Sequence, residues 1–333
     1  MPTRRSTLVG LAASMVWLAA PATRAQPARQ WRVAFLANNT SPGFEALLAN
    51  VRKELAQLGY VEGQNISYEF RHAAGQLDRH PELAAELVRS NVDLIVTSGG
   101  PASAAASKAT SRIPVLFSIV ADPVAIKLVA SLQRPGGNVT GVTNHDADQA
   151  PQQLSLLKEV LPQLARVTMI GEDGLPGADD SGLIPHERDY FAAARALGLQ
   201  PHLVRLKGPA PDLDGAIAAA AKERADAVIL LEVPRAFIDG KRIAELANSQ
   251  RLPTLFPASI ANTDTMLSYS TSALENLARV PAMIDRIFKG TPPGDVPVEV
   301  NARRVLVVNA RTAQQLGLRI PEAVLKRADR VIQ

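Results

Sequence analysis

One pattern of short apolar strands and helices occurs twice along the chain, and it limits the fold more than any other feature. RIPVLFSIV at 112–120 is repeated as RLPTLFPAS at 251–259, and NVDLIVTS at 91–98 as RADAVILLE at 224–232. Helix-forming segments follow these runs, and such alternation is typical of a parallel sheet covered by helices on both faces. The sequence therefore predicts an α/β protein with two doubly wound parallel-sheet lobes of similar architecture.

Two further pairs of segments extend the repeat. WRVAFLA at 31–37 parallels RVTMIG at 166–171, and the helix and strand of 51–70 parallel those of 191–206. Each of these helices ends in leucine and glycine, a common C-terminal signal. Because the spacings differ between the copies, we expect a duplicated architecture and not a tandem array. Two such lobes leave a cleft between them, and ligands of these sheets bind beyond the carboxyl ends of the strands.

The N-terminus carries the features of an export signal. Arg4 and Arg5 precede an uncharged run over 6–22, and Thr23 and Ala25 are small residues at the positions that a signal peptidase reads. We therefore predict that residues 1–25 are a signal peptide, of either the general or the twin-arginine export route. The chain contains no cysteine for lipid attachment or disulfides, so we expect a periplasmic protein of a Gram-negative bacterium.

Charge and motifs exclude several classes of function. Residues 1–25 contain three arginines and no acidic residue, so 33 basic and 32 acidic residues remain, and nothing indicates nucleic-acid binding. The five histidines show no HxH or HExxH spacing, and no GxSxG, Walker A or GxGxxG motif is present. We therefore predict no enzyme activity, no catalytic residues, no cofactor and no bound metal.

The strand ends of the first copy provide mainly hydroxyl and amide groups, together with the N-termini of the helices that follow. Helix N-termini and neutral donors favour a carboxylate. The candidate ligand-binding residues of this copy are Asn39, Thr40, Ser41, Ser98, Gly99, Gly100, Pro101, Ala102, Ser103, Ser118, Ala121 and Asp122.

The strand ends of the second copy are acidic, which favours an ammonium group. The candidates here are Glu172, Asp173, Glu232, Ser259 and Tyr269. A neutral, donor-rich lobe facing an acidic one suggests a small ligand with both charges, such as an amino acid.

The first-copy candidates also have ordinary structural explanations. Gly99 and Gly100 suit any turn between a strand and a helix. Asp122 suits a helix N-cap, since Asp122-Pro123 looks like a helix start. Ser118 is as suited to bonding local backbone as to facing the cleft.

The second-copy candidates leave similar alternatives open. Ser259 occupies the position of Ser118 in the repeat and has the same two explanations. Glu232 follows four apolar residues and needs a partner if it is buried, either a ligand ammonium or Arg235. Tyr269 could stack on a ligand or pack against the hinge between the lobes.

Several segments identify a family resemblance. They are LAQLGYVEGQNISYEFR at 55–71, DLIVTSGGPASAAASKATSRIPVLF at 93–117, RPGGNVTG at 134–141 and LGLRIPEAVLKRADRVI at 316–332. Through them the chain resembles, from about residue 32 to 332, the ABC-transporter substrate-binding family that includes tryptophan/tyrosine-type solute-binding proteins. The resemblance implies a type I periplasmic binding fold, with three crossovers joining a first lobe of 31–144 plus 267–295 to a second of 145–266 plus 296–333.

The resemblance also implies a function. We expect a monomer that captures a small carboxylate-bearing, amino-acid-like molecule in the cleft and delivers it to an inner-membrane ABC permease. The alternative is a ligand-responsive sensor that docks on a receptor. The second lobe departs from the family pattern at Glu172-Asp173, where an asparagine-proline segment is usual, at Val233 and at Ser270. An aromatic amino acid is therefore not carried over as the ligand.

Overall fold

In the computed structural model, which describes residues 29–39, 42–144, 146–258 and 264–333, strands and helices alternate along most of the chain. The first part contains β1 (Trp31–Ala37), α1 (Pro42–Gln57), β2 (Ile66–His72), α2 (His80–Arg89), β3 (Leu94–Ser98), α3 (Gly100–Ala109), β4 (Val115–Val120) and β5 (Val139–Thr143). The middle contains α4 (Gln149–Val160), β6 (Arg166–Glu172), α5 (Pro185–Ala196), β7 (Gln200–Leu206), α6 (Leu213–Lys222), β8 (Ala227–Leu230), α7 (Pro234–Ser249) and β9 (Thr254–Phe256). The last part contains β10 (Leu267–Thr271), α8 (Ala273–Phe288), β11 (Glu299–Val300), β12 (Arg304–Asn309), α9 (Ala310–Gln315), α10 (Glu322–Arg327) and β13 (Arg330–Ile332).

Four predicted features lie outside the described residues: the signal peptide of 1–25 and the site candidates Thr40, Ser41 and Ser259. Among the helices that are described, none combines the length and the apolar character needed to cross a bilayer.

The strands form two sheets, and one strand order occurs in both. The first sheet runs β11-β5-β4-β3-β1-β2, and the second runs β13-β12-β10-β9-β8-β6-β7. The β4-β3-β1-β2 block of the first therefore corresponds to the β9-β8-β6-β7 block of the second, and these strands are parallel. The duplicated, doubly wound α/β architecture is confirmed. The second sheet adds one antiparallel pair, β10 with β12.

The chain crosses between the lobes three times, after β5, after β10 and after β11. The structure moves two of the expected boundaries. Residues 267–271 were assigned to the first lobe, but as β10 they pair with β9 and β12 in the second sheet. Residues 296–300 were assigned to the second lobe, but β11 pairs with β5, and Val296 and Val298 are buried in the first-lobe cores.

The first sheet is covered by helices on both faces because its strands alternate their apolar side chains. In β1, Val33 and Phe35 lie in the cluster with α1 and α8, whereas Ala34 and Leu36 lie in the cluster with α2 and α3. A third apolar core surrounds the second sheet. Each lobe thus has its own core, and the polar strand ends remain at the boundary between the lobes.

The motif RPGGNVTG, at 134–141, has a structural role. A Cβ on Gly141 would lie 2.2 Å from the Phe117 carbonyl oxygen, at the point where the β4–β5 register shifts. The Asn138 side chain donates to the Thr110 and Ile113 carbonyls at 3.0 and 2.7 Å. This motif therefore fixes how β4 and β5 lie beside each other, from the start of the two strands to the shift in their register.

Candidate functional site

A small cavity lies where the carboxyl ends of β4, β5 and β8 meet. Its volume is about 30 Å³, which is room for about two water-sized groups. Its lining residues are Ala121, Asn144, Asp146, Gln149, Ala150, His186, Asp189, Tyr190 and Glu232. Ala121 comes from the first lobe and Asn144 from the first crossover, whereas the rest lie at or beyond that crossover. The cavity is therefore at the boundary between the two lobes.

The strand ends place the central residues of this cavity. Thr143 at the end of β5 donates from its hydroxyl to the Val120 carbonyl at 2.6 Å, which holds Ala121 and Asn144 side by side. On the second lobe, the Leu231 amide still bonds to the Ile170 carbonyl at 2.9 Å, and Glu232 is the next residue. Glu232 is thus the first side chain beyond the sheet hydrogen bonds of β8, as the repeat predicted.

Glu232 has a buried carboxylate without a cationic partner. Neither of its oxygens makes a hydrogen bond of good geometry with a described residue, and both are shielded from solvent. Burial raises the pKa of Glu232 to about 7 from 4.5, although the nearby amides of Asn144 and Gln149 lower it in part. An unpaired buried carboxylate is costly, so this group is prepared for a cation or a strong donor.

The same cavity contains three more polar atoms without a hydrogen bond. They are Asn144 Oδ1, Gln149 Oε1 and His186 Nε2, all buried and without a hydrogen bond in the part of the chain that the structure describes. Burial lowers the pKa of His186 to about 4, so its imidazole is neutral at physiological pH. Together with Glu232, these residues leave several buried acceptor oxygens in the cavity and no positive charge.

The charges around the cavity are negative. Asp146 is held by Arg304 in a two-pronged ion pair, and Asp189 contributes a further carboxylate. Lysine and arginine are absent from the described lining residues. Tyr190 donates its hydroxyl to Gln153 Oε1 at 2.6 Å, so that hydroxyl is already engaged outside the cavity.

Arg235 pairs with Glu172, which settles one of the open alternatives for Glu232. The Arg235 amide donates to Glu172 Oε2 at 2.9 Å, its guanidinium lies 3.7 Å from Glu172 Oε1, and it donates to Asp239 at 3.0 Å. Burial raises the pKa of Glu172 to about 7, and Arg235 opposes that shift. Glu172 therefore belongs to a buried ion network, and Glu232 remains without an arginine.

Contacts across the cleft bring the lobes together. Arg235 also donates to the Gly75 carbonyl of the first lobe at 3.4 Å. A Cβ on Gly177 would lie 2.6 Å from Ile126 Cγ2, and one on Gly100 would lie 3.5 Å from Pro176 Cγ. The second-lobe loop of 173–184 therefore packs on the first lobe. In this conformation the two lobes are in contact at both of these places.

The strand-to-helix turn at 98–103 lies under that loop. Gly99 has a φ of +86°, which favours glycine. The Gly99 amide is bonded to the Ser118 carbonyl at 3.0 Å, and the Ser103 amide to the Gly99 carbonyl at 3.1 Å. Pro101 has no amide hydrogen, and Ala102 is fully buried. Much of the donor capacity of this helix start is thus used within the first lobe.

Three polar first-lobe candidates make local bonds. Ser103 donates to the Gly99 carbonyl at 2.7 Å and shares a bond with the Thr97 hydroxyl. Ser118 donates to the Thr97 carbonyl at 3.1 Å. The Asp122 carboxylate accepts from the amides of residues 124 and 125 at 3.1 and 2.9 Å. It caps a run of turns, and not the helix that the sequence suggested.

The remaining candidates lie around the cleft without lining the cavity. Asn39 and Ser98 are half-buried at the ends of β1 and β3, and Asp173 is exposed at the start of the 173–184 loop. Tyr269 donates to Gln152 Oε1 at 2.5 Å and receives a bond from Gln153 at its carbonyl. It packs against α4 near the crossover.

Sequence reasoning found Ala121 and Glu232 and missed the other lining residues. Asn144 directly follows β5, whose sequence VTGVT at 139–143 contains two threonines and a glycine among its apolar residues and so gives a weak strand signal. The side chains from the start of α4 and from α5 come from helices, whereas the repeat points only to strand ends. His186 belongs to no metal-site pattern and has no local signal that indicates a cleft position.

Comparison with known proteins gives a consistent picture. A family model described as "ABC transporter substrate binding protein" matches residues 32–332. A "Tyrosine-binding protein" of Clostridioides difficile (strain R20291) is 34% identical over 118 residues, which are 35% of this chain and 34% of that protein. The chain thus aligns with about a third of the length of that relative.

Two crystal structures are similar over 91% of this chain and 100% of their own. A conserved domain protein from Vibrio cholerae O1 biovar eltor str. N16961 has a TM-score of 0.84 at 27% identity. An ABC domain from Streptococcus pneumonia in complex with L-Trp has a TM-score of 0.82 at 24% identity. These similarities show that the two lobes have the fold of type I periplasmic binding proteins.

Proposed function

Since this chain belongs to the ABC transporter substrate binding protein family, we propose that it is a periplasmic solute-binding protein for a small, carboxylate-bearing, amino-acid-like molecule. The ligand binds in the cleft between the lobes and is handed, chemically unchanged, to an inner-membrane ABC permease. The family is one of solute binding and not of catalysis. The signal peptide predicted for residues 1–25 supports export of the chain.

The observation that carries this proposal is the unpartnered carboxylate of Glu232 at the boundary of the lobes. A ligand ammonium would supply a positive charge and three N–H donors to a site whose buried acceptors make no hydrogen bond of good geometry with the described residues. The ion pair formed there would be shielded from solvent, where charge-assisted hydrogen bonds are strong. The ligand carboxylate would then face the first lobe, where Asn39, Ser98 and Ala121 mark the nearby strand ends.

Closure of the lobes explains how a bound ligand is held in the cleft. Arg235 with Gly75, Pro176 with Gly100 and the Gly177 backbone with Ile126 make contacts between lobes. These contacts exist only when the lobes approach, so a ligand that touches both lobes shifts the balance towards the closed form. Because the cavity of about 30 Å³ admits only the head of a ligand, entry of the rest requires the lobes to separate.

The relatives suggest where a ligand search should start. One is named a tyrosine-binding protein and another was crystallised with L-Trp, so aromatic amino acids belong in the first panel. The acidic cavity, however, is suited to the amino group that all amino acids share. We therefore propose an amino-acid-like ligand and leave its side chain to experiment.

A thermal-shift screen of the chain from residue 26 onward tests the proposal. The panel contains the amino acids, small carboxylates, sugars and nucleotides, and hits are measured by isothermal titration calorimetry. A ligand at a hundred times its Kd stabilises a folded protein by about 2.7 kcal/mol, which is a clear shift. Stabilisation by an amino acid, with full recovery of that compound after denaturation, supports the proposal. Stabilisation by nucleotides alone, or conversion of the compound, would refute it.

A further inference from the structure

We infer that this protein selects its ligand through a primary ammonium group and not through a carboxylate. Amines that lack a carboxylate should therefore bind in the cleft, whereas amino acids with an acylated amine should not. The inference rests on the proposed function, because it takes the Glu232 cavity to be the solute site. It goes further by naming the chemical group that decides recognition.

The first step is the balance of donors and acceptors in the cavity. Four buried acceptor atoms there make no hydrogen bond of good geometry with the described residues: both Glu232 oxygens, Asn144 Oδ1 and Gln149 Oε1. A primary ammonium carries three donors and no acceptor, whereas a carboxylate carries acceptors only. An ammonium therefore satisfies part of this group at once. A carboxylate placed in the same cavity would leave every one of these atoms unsatisfied.

The second step is charge. Asp146 is balanced by Arg304, but no described lining residue provides a positive charge to balance Glu232. An ammonium supplies that charge directly. A metal ion is a poorer candidate, since the described residues contain no group of three or more acidic or histidine side chains arranged to hold one.

The third step is the weak provision for a carboxylate on the first lobe. At the start of α3, the Gly99 and Ser103 amides bond to carbonyls within the lobe, and Pro101 has no N–H. The Ser103 and Ser118 hydroxyls donate to backbone carbonyls as well. Pro176 packs beside Gly100, so the loop of 173–184 partly covers this helix start. A ligand carboxylate at this helix start would therefore gain few hydrogen bonds beyond those that it makes with water.

Matched ligand series separate the two ends of an amino acid. We would measure L-tyrosine, tyramine and N-acetyl-L-tyrosine by calorimetry, and then L-leucine, isoamylamine and N-acetyl-L-leucine. In each series the second compound lacks the carboxylate and the third lacks the charged amine. We expect the free amine to bind within roughly tenfold of its amino acid, and the acetylated compound to bind roughly a hundredfold more weakly or not at all.

A variant pair ties the selection to the cavity. Glu232→Gln removes the unpartnered charge, and Glu223→Gln makes the same chemical change at an exposed position of the second lobe. Glu232→Gln should weaken the amino acid and the amine by a similar factor, roughly tenfold or more. Glu223→Gln should leave both unchanged. Circular dichroism and unfolding curves show that each variant is folded.

The outcomes distinguish this inference from the proposed function. Binding of the acetylated compounds with loss of the free amines would overturn the inference while leaving solute binding intact. Equal affinity of wild type and Glu232→Gln for tyramine would also overturn it. If the wider screen shows that only sugars or small acids bind, the inference fails and the solute-binding role stands. If no small molecule binds in either experiment, both fail.

Discussion

Replacement of Glu232 by glutamine should make the ligand-free protein more stable at alkaline pH, although it removes the proposed binding group. The folded state raises the pKa of Glu232 to about 7 from 4.5. Stability is therefore lost as the pH rises from about 4.5 through about 7, and the loss is complete above that range. A glutamine does not ionise and avoids this loss.

The expected gain follows from the size of the pKa shift. A difference between 4.5 and about 7 corresponds to a free energy of about 3 kcal/mol at pH 8, with less than about 1 kcal/mol at pH 5. The pKa of Glu172 is also raised to about 7, but that contribution is common to wild type and variant and cancels in the difference.

Urea unfolding at pH 5 and pH 8 measures this difference directly. The comparison includes wild type, Glu232→Gln and the exposed control Glu223→Gln, all without ligand. We expect Glu232→Gln to gain stability mainly at pH 8 and the control to gain little at either pH. A gain of equal size at both pH values, or a loss at pH 8, would contradict the conclusion that the Glu232 carboxylate is unpaired in the folded protein.

Three further predictions concern the surroundings of the site. Arg235→Met should destabilise the protein by about 3–5 kcal/mol in the same unfolding assay, because it removes the buried guanidinium that pairs with Glu172 and Asp239; an unchanged midpoint would contradict the ion network. As the pH increases towards 7, the affinity for tyramine should rise by up to about tenfold per pH unit, and above pH 7 it should level off, because the ammonium binds ionised Glu232. Asp146, Asp189 and neutral His186 face the same cavity, and calorimetry in two buffers should show proton release below pH 7; constant affinity from pH 5 to 8 would argue against this coupling. Gly141→Ala should lower the free energy of unfolding by about 1–3 kcal/mol, because the added Cβ would lie 2.2 Å from the Phe117 carbonyl oxygen. A variant as stable as the wild type would show that β4 and β5 adapt to the added methyl group.

The fold was predictable because its signals are local. Each strand of the repeat is a short apolar run followed by a helix, so the order of elements could be read from the residues. Sheet membership was harder to predict. β10 pairs with β9 and with β12, about 12 and 40 residues away along the chain, and nothing within LSYST at 267–271 specifies those partners. The observed lobe boundaries therefore differ from the predicted ones.

The candidate site shows the same division between local and long-range information. Glu232 was predictable as an acidic residue at a strand end. Its partner was not, because the choice between a ligand and Arg235 depends on where Glu172 lies, and Glu172 is 63 residues from Arg235 in sequence. Ser103 and Ser118 were equally ambiguous, since a hydroxyl at a strand end can serve a ligand or a neighbouring carbonyl. Only the packed structure shows that both serve carbonyls.

The contrast between Glu172 and Glu232 explains how one lobe can hold two buried acids for different purposes. Both have a pKa raised to about 7 by burial, so the shift alone does not separate them. Glu172 has its cation within the chain, on the first turn of α7, and there it joins the contact between Arg235 and Gly75. Glu232, one strand away, has no such partner among the described residues. Glu172 therefore takes part in a contact between the lobes, whereas Glu232 is left for the ligand that we propose.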